Sequence, residues 1–116
     1  TTLRRAQANL ERRASLQERL KLLRDSALFD LNRSYAEYEN ALDMLRSAED
    51  RIRASQEVLR IMELRYRNGL ARMVDILDAQ TELDKARLER VQAINACHKA
   101  YMEVLYSAGY VEEVKR

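Results

Sequence analysis

Two acids three residues apart, Asp75 and Asp78, stand among apolar residues just after a glycine, in the stretch RYRNGLARMVDILDAQ at residues 65–80. Three residues is close to one helical turn, so both carboxylates fall on one helix face. The plainest use of Asp75 is at a helix start, where a negative charge suits the helix dipole. Asp78 on that reading is merely solvated. Tyr66, Arg67 and Arg72 lie close enough to bond across a turn to Asp75, or to a neighbouring hairpin. Little else in the sequence could do chemistry. Cys97 is the single cysteine and His98 the single histidine. One cysteine excludes an internal disulfide and offers no metal framework. Cys97 sits in an apolar helical pattern, which predicts a small buried or half-buried residue, and His98 reads as a surface residue. There is no nucleophile–base pair, no phosphate loop and no paired carboxylate in a plausible cleft, so an enzyme is not expected. No cofactor is expected either.

The elements that must position these residues are helices. The chain has 116 residues, no proline, no tryptophan and two glycines, and Leu, Ala, Glu, Arg and Lys dominate. That is the profile of long helices and coiled coils. Charge comes in alternating blocks: seven Arg/Lys against two acids in residues 1–24, two against seven in 25–50, six against two in 51–72. Nucleic-acid binders keep one basic face or stripe. Alternating blocks point to pairing between neighbouring rods, or to nothing specific, and against nucleic acid as a partner. No signal peptide and no run of about 18 apolar residues is present. The chain opens in TTLRRAQANL without a methionine. It reads as a mature product or as a piece of something larger.

The expected fold is all-α, a long antiparallel coiled-coil hairpin formed by residues 1–116 as one unit. A first helix is predicted over about 2–67, a turn at about 68–71, and a second helix over about 72–108. Asn68 and Gly69 end the first helix, because glycine tolerates the left-handed conformation that closes helices. Gly109 is expected to end the second. Glu49 with Arg53, Glu63 with Arg67 and Asp43 with Arg46 stand at helix-neighbour spacing, each pair worth about 0.2–0.5 kcal/mol. Leu31, Tyr38, Leu45, Ile52, Leu59 and Tyr66 recur every seven residues, and Leu28, Tyr35 and Leu42 interleave at coiled-coil spacing. Small residues form further lines: Ala27, Ser34, Ala41, Ala48 and Ser55 on the first helix, and Ala79, Ala86, Ala93, Ala100 and Ser107 on the second. Two lines on one helix fit a neighbour on each side or one broad apolar face equally well. Length favours the first. A tight turn sets residue 66 opposite 73 and residue 31 opposite 108. The first helix would span about 100 Å and the second about 55 Å. Residues 1–30 then have no partner within the chain, although they carry Leu3, Leu10, Leu16, Leu20, Leu22, Leu23 and Leu28.

The run RYRNGLARMVDILDAQTELDKARLERVQAINACHKAYMEVLYSAG resembles the repeat of TolC-like outer-membrane efflux proteins. The family pattern is an aromatic before the turn, a glycine in it, and then a helix opening Asp-hydrophobic-hydrophobic-Asp-Ala-Gln. Here these are Tyr66, Gly69 and Asp75-Ile76-Leu77-Asp78-Ala79-Gln80. Leu83, Ala86, Tyr101 and the closing Ala108-Gly109 follow the same pattern. The likeness is closest over residues 58–109, and the run into YSAGYVEEVKR is more similar to the second of the family's two repeats.

The resemblance implies a homotrimer with twelve helices in a periplasmic α-barrel and a twelve-stranded barrel in the outer membrane. This chain would be a hairpin excised from that α-barrel, without a β-barrel segment. It implies that Asn68, Gly69, Leu70 and Ala71 form the periplasmic tip that meets an adaptor protein, with an inner-membrane transporter as a further partner. It implies that Asp75 and Asp78, in three copies, ring the entrance as a cation-selective and weakly cation-binding gate. Tyr66, Arg67 and Arg72 would help hold that gate shut, although here the arginine stands one residue later than in the family. Neighbouring barrel helices would cover residues 1–30. Two other readings remain open: a periplasmic adaptor hairpin, whose tip normally carries an Arg-Leu and Ser-Asp pattern absent here, and a generic structural coiled coil.

Overall fold

A computed structural model describes residues 1–115; Arg116 lies outside them. It contains two α-helices, α1 (Thr2–Arg67) and α2 (Met73–Lys115), and no strand among the described residues. The expected hairpin is therefore present, with its turn at residues 68–72. α1 is unbroken for 66 residues. No proline interrupts it, and its Arg, Leu, Ala, Glu and Gln are all strong helix formers. Pairs three residues apart support the exposed faces: Asp43–Arg46 at 3.8 Å, Asp50–Arg53, Glu57–Arg60 at 2.6 Å, Glu82–Lys85 at 3.4 Å and Asp84–Arg87 at 4.0 Å.

Contacts divide the chain into two compact units, residues 37–100 and residues 1–36 with those from Tyr101 onward. In the first, α1 and α2 meet along the lines of small residues. Ala41 and Ala48 of α1 and Ala79, Ala86, Ala93 and Ala100 of α2 are buried, and Ala86 is 0% exposed. Leu83 is the one long side chain buried with them. Leu45, Ile52, Leu59, Ile76, Ile94 and Cys97 are half-buried at the flanks. Alanine every seventh residue on both helices lets the backbones approach closely, and the larger residues close the sides. The register matches the expected one. Glu49 of α1 meets Arg90 of α2 at 4.0 Å on one flank, and Arg51 meets Glu89 on the other. Glu49 thus reaches across the seam instead of along the helix to Arg53, which pairs with Asp50. The expected Glu63–Arg67 pair does not form among the described residues. Both residues are exposed, and such pairs are worth at most about 1 kcal/mol.

In the other unit, Ala27, Ser34 and Val111 are buried. The Ser34 hydroxyl donates to the carbonyl of Asp30 at 2.8 Å and lies 3.2 Å from the Ser107 hydroxyl. A serine has one hydroxyl proton, so Ser107 donates to Ser34. The expected end of the second helix at 108 is wrong. α2 continues through Gly109 to Lys115, and Gly69 is the one glycine with positive φ. Glycine inside a helix costs about 1 kcal/mol relative to alanine. Burying Val111 is worth about 1.5–3 kcal/mol, so the tertiary contact outweighs the local preference. The longer α2 also narrows the unpartnered stretch, since Ala27 is only 2% exposed. Every residue from 1 to 26 is exposed, and all seven leucines from Leu3 to Leu28 remain at least 39% exposed.

Candidate functional site

The turn is built from backbone bonds that the local sequence dictates. Gly69 has φ +71°. Its N–H donates to the carbonyl of Tyr66 at 3.1 Å, and the Leu70 N–H donates to the carbonyl of Arg65 at 2.8 Å. These paired bonds form a Schellman motif with glycine at the left-handed position. The motif usually brings the residue after the glycine against the helix it closes. Here Leu70 stays 77% exposed, so the tip presents an apolar side chain to its surroundings. Ala71 behind it is half-buried, and Asn68 is exposed.

α2 begins with half of a capping box. The Arg72 N–H donates to Asp75 Oδ2 at 2.9 Å, and the Asp75 N–H donates to the carbonyl of Arg72 at 3.0 Å. A carboxylate at the third helical position satisfies one of the donors that a helix start leaves open. Asp75 therefore has the helix-start role that its position suggests. Asp78, one turn on, is exposed. Tyr66, Arg67 and Arg72 are exposed as well. Among the described residues none of their side chains bonds to either aspartate; the contribution of Arg72 comes from its backbone. No group of three or more His, Cys, Asp or Glu able to hold a metal ion occurs among the described residues. His98 is exposed and Cys97 is half-buried and free.

The two aspartates line a groove that sequence spacing alone did not assign. Asp75, Asp78, Ala79 and Glu82 of α2 face Ala54, Ser55, Val58 and Met62 of α1 across about 430 Å³. Glu82 continues the three-four spacing of Asp75 and Asp78, a signal present in the sequence. The apolar wall is set by packing between the helices, which spacing on one helix does not reveal. A second groove of about 400 Å³ lies between Met44, Ser47 and Ala48 of α1 and Glu89, Gln92 and Ala93 of α2.

No helix here is long and apolar enough to cross a membrane, among the described residues. Comparison with curated proteins and with solved structures gives no match. Comparison with protein families does. Residues 2–109, from the first turn of α1 to the glycine that α2 passes through, match the family described as outer membrane efflux protein. The match takes in the Schellman turn, the capped start of α2 and both alanine lines, and on it the chain belongs to the outer membrane efflux protein family.

Proposed function

We propose that this hairpin is the periplasmic tip segment of a trimeric outer-membrane efflux or secretion channel, forming the entrance of its α-barrel and docking a periplasmic adaptor. The observation that carries this reading is the family match across the whole turn. The exposed apolar tip supports it. Asn68, Gly69, Leu70 and Ala71 are the contact surface for the adaptor, and an inner-membrane transporter completes the pump. The full protein belongs in the outer membrane, with this segment in the periplasm. Asp75 and Asp78 line the entrance in three copies each, while Tyr66, Arg67 and Arg72 bond to neighbouring hairpins in the closed state. Asp75 holds two roles on this reading, because capping uses one carboxylate oxygen and leaves the charge in place.

The test is conductance of the intact channel in lipid bilayers. Asp75→Asn with Asp78→Asn should weaken cation selectivity and lessen block by divalent cations. Charges in a narrow ring are screened less than the same charges on an open surface. Unchanged selectivity with an intact helical spectrum would leave Asp75 as a helix-start residue only, and the entrance would have to be placed elsewhere.

A further inference from the structure

We infer that the groove between residues 54–62 of α1 and 75–82 of α2 binds small amphipathic organic cations, in each hairpin separately. Its floor and one wall are apolar: Ala54, Val58 and Met62 of α1, with Ala79 of α2 at the base. Val58 is exposed and Met62 half-buried, so the apolar surface is reachable. The other wall carries Asp75, Asp78 and Glu82, spaced so that one carboxylate appears on each successive turn. Such a site is complementary to a ligand with an apolar body and a delocalised positive charge. A metal ion would gain nothing from the apolar wall, and a neutral apolar molecule would gain nothing from the acids. The volume of about 430 Å³ falls within the range of small-molecule sites, roughly 300–1,000 Å³. The apolar wall covers little more than two helical turns, too short a seat for a partner helix. One cation already competes: Lys85 Nζ lies 3.4 Å from Glu82 Oε1. A ligand reaching Glu82 must displace Lys85 or share the carboxylate with it. The inference concerns one hairpin and does not depend on how the tip docks.

The experiment uses the full chain, isotope-labelled and titrated with three probes while amide shifts are followed by NMR. Tetraphenylphosphonium carries apolar area and positive charge. Tetraphenylborate has the same shape and the opposite charge, and magnesium ion has charge without apolar area. Tetraphenylphosphonium should shift amides at Ala54, Val58, Asp78, Ala79 and Glu82, saturably, with tetraphenylborate leaving them unmoved. Asp78→Asn and Glu82→Gln should each weaken binding about threefold, and Lys85→Gln should tighten it by a similar factor, the scale of partly screened charge pairs. Asp84→Asn, on the same helix but outside the groove, should leave it unchanged. Circular dichroism of each variant checks the fold, and all four replacements are at exposed positions. Equal binding of tetraphenylborate, magnesium shifts that mimic those of the organic cation, or shifts centred on the exposed leucines of residues 1–26 would each overturn the inference. So would binding of a basic helical peptide in the groove without binding of tetraphenylphosphonium, which would make the groove a protein-docking surface.

Discussion

The stretch from residue 41 to residue 100 and the stretch from residue 1 to residue 26 invert the usual relation between size and burial. In the first, the buried residues are mostly alanines. In the second, Leu3, Leu10, Leu16, Leu20, Leu22 and Leu23 are all at least half exposed. Residues 2–26 belong to α1, and residues 41–100 are helix on either side of the turn at 68–72. Burial here follows the neighbour that is available and how closely it can approach, and hydrophobicity alone does not decide it. Alanine lines bring α1 and α2 together at short range but remove little apolar area for each residue. The leucines have the greater gain to make, about 1.5–3 kcal/mol each when fully buried. They need other helices to realise it. The chain thus carries a small-residue seam on one stretch and exposed leucines on another.

The largest effect that would sharpen this contrast is overpacking of the seam. Ala86→Leu should destabilise the hairpin by about 1–3 kcal/mol, because the site has no spare volume. Leu10→Ala in the exposed stretch should change the monomer by less than about 0.5 kcal/mol. Thermal denaturation of the two variants reads the difference directly. If Ala86→Leu were neutral, close approach along the alanine line would not be what holds the helices together.

The two glycines should respond in opposite directions. Gly69→Ala forces a side chain into the left-handed region at a cost of about 1–2 kcal/mol. Gly109→Ala should stabilise by about 0.5–1 kcal/mol, since the site is helical. A Cβ at Gly109 meets nothing within 4 Å, and neither does one at Gly69, so the signs follow from the backbone alone. Denaturant titrations of both variants check this, and stabilisation by Gly69→Ala would contradict the turn as described.

Smaller still is the helix start. Asp75→Ala removes the acceptor for the Arg72 N–H and should cost about 0.5–1 kcal/mol, the scale of a lost cap, whereas Asp78→Ala should cost close to nothing. Amide exchange at Arg72 would show the first effect locally. The smallest response is to acid. The Arg60 guanidinium, hydrogen-bonded to Glu57, holds its carboxyl below the usual range. A lowered folded value means that the contribution is present above the unfolded pKa, about 4.3, and fades as pH falls through the folded value. Both residues are exposed, so Glu57→Gln should change the acid midpoint only slightly.

The features legible in the sequence were those that local chemistry decides. Asn68 and Gly69 marked the turn because a left-handed residue closes a helix, and Asp75 marked a helix start because a negative charge in the first turn suits the helix dipole. The pairing register followed from the turn, and Glu49 opposite Arg90 bears it out. Gly109 misled for the same reason that Gly69 informed. The local signal is similar at both, but the helix runs on past Gly109 and buries Val111. Which line of the heptad would form the seam was undecided, because a periodic pattern does not say which face a neighbour takes. Glu82 went unassigned because its significance depends on Val58 and Met62 across the groove. The ion pair between Arg51 and Glu89 was hidden similarly, since it joins residues on different helices.

The division of labour between the two stretches can be measured in the assembled channel with photoreactive residues placed singly at Leu70 and Leu20. The account predicts that position 70 captures a separate adaptor protein. Position 20 should capture a helix of the same channel, from its own subunit or the next. Adaptor captured at position 20 and none at position 70 would contradict it. So would capture at position 70 confined to channel subunits, because Leu70 would then be covered within the barrel and the tip would not be the docking end.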